Sequence, residues 1–338
     1  MILSVCIPSY NRPETLLRLL KSIDIECSND LEVIICEDFS PKREAIRNVV
    51  QLFSVDSPLE IKYFENPINY GFDKNLRELA RLSEGDFVMY MGDDDYFIYS
   101  NLKPFLTFLK NNPDLGYVLK TWVSLHKNGW QEPFNYFGGR RFFEASPSTF
   151  VSLFRVSTFV SGFTFRRAYS IPFLTDIFDG TLLFQLYILG ELTLKYPSAF
   201  CEIPLTIQTK EKADVPHFGS SNSEKDLFTP GRITIENSIN FLKGYFKITE
   251  YLDNKYNIET THLVKRDLTK YSYSYLYLHR DKGLAEFTRF YRLLTNEVGL
   301  NKTFHIHAYY YALSILGRKS CDRVIHLAKR ILGKTPAT

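Results

Sequence analysis

The chain opens on a short, branched apolar run, LSVCIP, that stops at Pro8, Ser9 and Tyr10, then resumes with Leu16, Leu17, Leu19, Leu20 and Ile23 at helical spacing. This reads as a buried strand, a turn and a helix, with Asn11 placed to cap the helix and Pro13 in its first turn. Three further apolar runs follow. LEVIICED ends in Glu37 and Asp38, IKYFEN ends at Asn66, and DFVMYM leads to three consecutive aspartates, Asp93, Asp94 and Asp95. The stretches 43–53 and 73–82 between them suit helices. Strand and helix in alternation predict an α/β domain on a mostly parallel, Rossmann-like sheet.

Residues 114–207 mix short aromatic strands with a helix expected over 181–189, and read as the second half of the same domain. The polar stretch KEKADVPHFGSSNSEKDLFTP has the composition of a mobile loop. Beyond it, helical spacing recurs over 233–251, 261–278, 282–295 and 303–332. The expected organisation is therefore a domain over 1–210, a flexible active-site loop over 211–230, and a helical region over 231–338.

With 45% hydrophobic and 23% charged residues, the 338-residue chain has the composition of a folded globular protein. Its five cysteines are scattered, with no C-x-x-C pair, so neither a zinc ribbon nor a disulfide framework is expected. No apolar run reaches the roughly 18 residues of a spanning helix. The start, MILSVCIPSYN, lacks the layout of a secretory signal, so a cytoplasmic location is expected. The net charge of +3 does not argue for nucleic acid, but it is unevenly spread. From Ala308 onward Arg318, Lys319, Arg323, Lys329, Arg330 and Lys334 face the single acid Asp322. The tail therefore carries the excess, and the rest of the chain is slightly acidic.

In an open sheet of this kind ligands sit at the carboxyl ends of the strands, where this chain collects Ser9, Tyr10, Asn11, Glu37, Asp38, Asn66 and the Asp triplet. The first turn, IPSYNRPETL, has no G-x-G-x-x-G, and no G-x-x-x-x-G-K-[ST] occurs, which disfavours a dinucleotide or P-loop enzyme. Three adjacent carboxylates repel one another by about 1 kcal/mol or more per pair, so a cation is expected among them. Hard oxygen donors select Mg²⁺ or Mn²⁺, which bind one or two carboxylates together with phosphates and water.

These residues resemble the inverting family-2 glycosyltransferases of the GT-A fold. The resemblance rests on the order I-P-S-Y-N-R-P, then E-D, then N-x-x-N-x-G-x-x-K-N-L, then an acidic motif, all within the first 110 residues. More narrowly the chain is similar to bacterial transferases of O-antigen and capsule repeat units, whose acidic motif often reads G-x-D-D. Here that motif is Gly92-Asp93-Asp94-Asp95. The resemblance implies a nucleotide-sugar donor, with uracil or thymine favoured, lying along Pro8, Tyr10, Asn11, Arg12 and Asp38 and over Asn69, Gly71, Lys74 and Asn75. It implies Asp93 near the ribose, and a divalent cation on Asp94 and Asp95. For Asp38 a helix cap is the competing reading, and for Lys74 an exposed helix position.

Inverting transfer needs a base to deprotonate the acceptor hydroxyl. The family's E-D pair, counted back from Gly190, falls on Phe178 and Asp179, so Asp179 is the candidate base, with Asp176 in reserve and Gln185 facing the acceptor. The family's loop over the donor would supply His217 to the metal or diphosphate. Arg166 and Arg167 could meet phosphates or simply be solvated. The last helix, with Cys321, Val324, Ile325, Leu327, Ala328, Ile331 and Leu332 along one stripe and basic residues opposite, could lie on the inner membrane surface. That would suit a polyprenyl-diphosphate-linked glycan acceptor; packing on the protein itself is the other reading. The alternation of tyrosines in YSYSYLYLHR is best explained by packing in a helical bundle. Competing functions are a glycan-binding scaffold, a sugar nucleotidyltransferase, whose Gly-rich opening is absent, and a template-using polymerase.

Overall fold

The computed structural model describes residues 1–209 and 217–332, except the side chains of 326 and 328–332. The first half alternates as expected: β1 (Leu3–Ser9), α1 (Pro13–Ser22), β2 (Leu31–Glu37), α2 (Arg43–Asp56), β3 (Glu60–Glu65), α3 (Phe72–Leu82) and β4 (Phe87–Tyr90). There follow β5 (Tyr96–Phe97), α4 (Leu102–Lys110), β6 (Tyr117–Leu125), β7 (Gln131–Phe134), β8 (Arg141–Phe143), α5 (Pro147–Phe154), β9 (Phe163–Arg166), α6 (Arg167–Ser170), α7 (Phe184–Thr193) and β10 (Ser198–Thr209). They build one sheet in the order β3-β2-β1-β4-β9-β6-β10-β5, with β7 on β6 and β8 on β10. Strands β3, β2, β1 and β4 are parallel, as is the β6–β10 pair; β9 runs antiparallel between β4 and β6.

The central strands are buried on both faces, which is why their sequences read as continuous apolar runs. Leu3, Val5 and Ile7 pack with Val33, Ile35, Phe87 and Met89 beneath Leu16, Leu19, Ile46 and Phe105 of α1, α2 and α4. Cys6, Ile34, Cys36, Val88 and Tyr90 face the other way, toward α3, α5 and α7. The pairing of Ser9 with Glu37 and of Glu37 with Glu65 aligns the carboxyl ends of three strands on one edge. Beside it β1 takes β2 on one flank and β4 on the other, the strand-order reversal at which open sheets bind ligands.

The helical region comprises α8 (Ile235–Tyr256), α9 (Thr261–Lys270), α10 (Tyr273–Arg280), α11 (Leu284–Asn296) and α12 (His305–Leu332), the last broken at Gly317, where φ is +73°. No hydrophobic boundary separates it from the sheet. Leu242, Tyr245, Leu252, Leu268, Phe290 and Leu313 belong to the same cluster as Cys6, Tyr90 and Phe165.

Three local expectations differ. The helix expected over 261–278 is divided at Tyr271 and Ser272 into α9 and α10. Asn11 does not cap α1; it holds φ +66°, and Arg12 takes the cap position without a side-chain capping bond. The helix expected from 181 begins at Phe184 because Leu182 turns through φ +64° and Asp73, on α3, accepts hydrogen bonds from Leu182 N and Phe184 N at 2.8 Å each. That cap lies more than a hundred residues away in sequence.

Candidate active site

At the β1–β3 end of the edge, Asp38 is 5% exposed and accepts Asn66 Nδ2 at 2.8 Å, Tyr70 N at 2.7 Å and Gly71 N at 2.9 Å. Burial pushes its pKa up to about 6 against the pull of those three donors. It is not a cap for α2. Glu37 takes the N–H groups of Phe39 and Ser40 and the guanidinium of Arg43 instead. Asn75 bridges Cys36 O and Asn66, Asn69 Oδ1 accepts Gly71 N at 2.9 Å, and Lys74 Nζ lies 3.5 Å from the ring centre of Tyr70. Asp38, Asn69, Gly71 and Asn75 thus form one bonded unit at the N-terminus of α3, adjoining Tyr10. Pro8 is the next-to-last residue of β1, two positions before Tyr10.

The triplet divides by exposure. Asp93 is buried, accepting Tyr10 N at 3.1 Å and Arg12 Nη1 at 2.9 Å, so it braces the turn after β1. Asp95 is buried too, held by Ser161 Oγ and, at 3.3 Å, by Thr209 N. Asp94 between them has a side chain 43% exposed, with Oδ2 3.1 Å from Arg12 Nη1. Burial raises the pKa of both Asp93 and Asp95; Arg12 opposes it for Asp93, while the charge of Asp94 reinforces it for both. Arg18 ties Asp94 O to Thr209 Oγ1. Lys120, buried on β6, is pushed down to about 7 by desolvation, against the charge of Asp95. Its Cε would lie 2.2 Å from a β-carbon at Gly162, so the glycine makes room for it.

Among the described residues no group of three or more His, Cys, Asp or Glu side chains is arranged to hold a metal by itself. The donor set fits a cation of the open kind, in which one or two carboxylates of the triplet are supplemented by diphosphate and water. His217, expected as a further ligand, packs its ring 5.6 Å from that of Tyr10, which places it over the turn that carries Arg12.

Beyond the triplet, on the β9–β6–β10 side, lies a cavity of about 750 Å³ between the sheet edge and α8 and α10. Arg12 and His217 stand at its wall with Phe72, Trp122, Phe159 and Gln185. Asp179 does not line it. Both its oxygens are engaged by Arg77, the second at 2.9 Å, in an ion pair whose side chains are 5% and 19% exposed. Asp176 is exposed on the same turn. Arg166 and Arg167 sit at the opposite edge of the sheet from the triplet, against Asp86 ahead of β4. The loop returns over the site through Glu224, buried, which accepts Phe72 N and Gly219 N at 2.8 Å each, while Ser221 Oγ would stand 2.4 Å from a β-carbon at Gly71. Residues 210–216 of the expected loop lie outside the described residues.

Sequence reasoning did not single out Ser161, Thr209, Arg18, Lys120 or Glu224. The glycine at 162, the N–H-rich turn at 219–221 and the polar strand end at 206–209 are their only local marks.

A mixed sheet of this order, with an acidic motif closing β4 at the strand-order reversal and a helical region packed against the far half, is the GT-A fold of nucleotide-sugar-dependent transferases. Residues 4–175 match Glycosyl transferase family 2, about half of the chain, and the protein belongs to that family. Abequosyltransferase RfbV of Salmonella typhimurium is 30% identical over 115 residues, 34% of each chain. The GalNAc(5)-diNAcBac-PP-undecaprenol beta-1,3-glucosyltransferase of Campylobacter jejuni is 37% identical over 95 residues, 28% of this chain and 29% of that one. The matched region thus spans about a third of these curated relatives. The structure of S. aureus TarS 1-349 in complex with UDP-GlcNAc aligns over 97% of this chain and 92% of that one, with TM-score 0.63 and 16% identity, a likeness of fold.

Proposed function

We propose that the protein is an inverting glycosyltransferase that moves one sugar from a uridine or thymidine diphosphate carrier to a lipid-linked intermediate of a surface polysaccharide. The observation that carries the reading is the continuity of the edge. The Asp38–Gly71 unit, the Tyr10–Arg12 turn, the triplet and the cavity follow one another in the order of base, diphosphate and sugar. Tyr10 offers a ring to the base, and the bonded unit at Asp38 fixes the segment beneath it. Arg12 neutralises Asp93 and Asp94 and can turn to the diphosphate. Asp94 and Asp95 would hold Mg²⁺ or Mn²⁺, which stabilises the charge of the departing diphosphate. His217 and the loop pinned by Glu224 keep water from the reacting carbon. The names of the RfbV and Campylobacter relatives support a polysaccharide context, and the latter an undecaprenol-linked acceptor.

Membrane association belongs to the same proposal. Among the described residues no helix is long and apolar enough to cross a membrane. On α12 Cys321 is buried, yet Val324 and Leu327 are 61% and 60% exposed close to Arg318, Lys319 and Arg323. Ile325 is partly buried, and the side chains of Ala328, Ile331 and Leu332 lie outside those described. An apolar face rimmed with positive charge suits an anionic leaflet.

The test is the thermal stability of the protein with UDP, dTDP, GDP and CDP, each with and without Mn²⁺, since a ligand of the folded state raises its melting point. UDP or dTDP is expected to shift the transition more with Mn²⁺ than without. Asp94→Ala should lose the metal increment and on the order of a hundredfold in turnover while melting within a degree or two of the parent. Full turnover in that variant would remove the metal assignment.

A further inference from the structure

The cavity beside the triplet is rich in aromatic wall and poor in uncommitted polar groups. Trp122 stacks on Phe134 at 3.8 Å and meets the tilted ring of Phe159 at 4.4 Å, an aromatic cluster of which Trp122 and Phe159 line the cavity. The polar side chains that reach it are largely engaged by the protein. Asn237 bonds Thr229 through both its N–H and its carbonyl and also meets Arg232 O; Ser238 pairs with His279; Ser274 donates to Tyr271 O; Arg155 is joined to Asp267. No Asp or Glu occurs among its described lining residues.

Gln185 differs from these. It is 2% exposed, on the first turn of α7, and its Nε2 is directed at Thr158 O at 3.4 Å. Its Oε1 is buried with no hydrogen-bond partner among the described residues. A buried acceptor in that state is costly unless something donates to it. The site is well placed for a substrate to do so, because Arg12 stands both in the cavity wall and in the ion pair with Asp93 and Asp94. The cavity therefore begins where the diphosphate would end.

We propose that Gln185 is a specificity-determining residue that accepts one hydrogen bond, from a hydroxyl or an amide N–H, of the sugar being transferred, and that this sugar carries a methyl-bearing substituent in place of at least one free hydroxyl. This rests on the nucleotide-sugar reading above and narrows it. A fully hydroxylated hexose would press several hydroxyls against aromatic carbon with no partners for them. A 6-deoxyhexose replaces one of those hydroxyls with a methyl group the walls can cover, and an N-acetylated hexosamine exchanges one for an amide whose methyl the walls can cover and whose N–H can donate to Oε1. Pockets of this size commonly combine apolar walls with a few placed polar groups in this way.

The experiment is calorimetric titration of the full chain, in Mn²⁺, with UDP, dTDP, UDP-glucose, UDP-N-acetylglucosamine, dTDP-glucose and dTDP-rhamnose. For the nucleotide that binds, the methyl-bearing conjugate should bind at least tenfold more tightly than the glucose conjugate. The rhamnose and N-acetyl arms separate the two sources of the methyl. Gln185→Met should abolish that preference while affinity for the bare nucleotide diphosphate stays within about twofold, and Gln185→Glu, which keeps the acceptor, should restore it. Bare-nucleotide binding reports folding; should Gln185→Met lose it, Trp122→Leu replaces it in the same comparison and should also erode the preference. Equal or tighter binding of the glucose conjugate, or an unaltered preference in the variants, overturns the assignment and leaves the transferase reading standing. Failure of both UDP and dTDP to bind overturns the two together.

Discussion

Gly162 holds φ +86° with the Lys120 side chain where a β-carbon would be. Replacing it with alanine should cost about 1–3 kcal/mol, from the left-handed backbone and the displaced lysine together, read as a lower urea midpoint at unchanged slope. The Arg77–Asp179 pair makes a separate prediction. Removing one partner of a buried, bonded pair strands the other charge, so Asp179→Asn should lose about 3–5 kcal/mol of stability. A variant that keeps its stability and loses only turnover would instead speak for Asp179 as the base. These two cases show what a sequence displays at this scale. The triplet could be read because its three carboxylates are contiguous and follow an apolar strand. Ser161 and Thr209, which hold Asp95, could not, since a serine in the turn before β9 and a threonine at the end of β10 carry no mark until the fold brings them together.

The elements were legible where a helix or strand is governed by its own residues, and less so where another part of the chain governs its end. Helix α7 starts late because its cap is Asp73, and that carboxyl is fully buried, with its pKa pushed up to about 7 by desolvation despite two N–H donors. A carboxyl whose folded pKa is raised binds its proton more tightly folded than unfolded. Its contribution is fully present below the unfolded value near 4 and is lost as pH rises through about 7. Denaturation midpoints measured from pH 4 to 7.5 should therefore fall less steeply in Asp73→Asn than in the parent. The loop is governed from afar as well. Glu224→Ala leaves Phe72 N and Gly219 N without their acceptor, which should cost about 1–3 kcal/mol. Proteolytic cleavage within 217–228 should become faster than in the parent, and UDP or dTDP should slow it.

At the scale of the molecule, the alternation of strand and helix and the helical second half could be read from periodicity, while the antiparallel β9 inserted between β4 and β6 could not, because a four-residue strand carries too little pattern to give its direction. The exposed Val324 and Leu327 give a prediction that belongs here. Changing both to glutamate should reduce sedimentation with phosphatidylglycerol vesicles severalfold and leave nucleotide binding unaltered, since neither residue lines the cavity. One further consequence follows from the hydrophobic cluster that runs unbroken from Cys6 and Tyr90 into α8–α12. The portion shared with the family ends at residue 175, inside that cluster. Exchange of this family-matched half between relatives at that point would part a single packed interior. Variation in what these enzymes build is then constrained to travel as a matched pair of halves, or to arise by substitution within the cavity the two halves enclose.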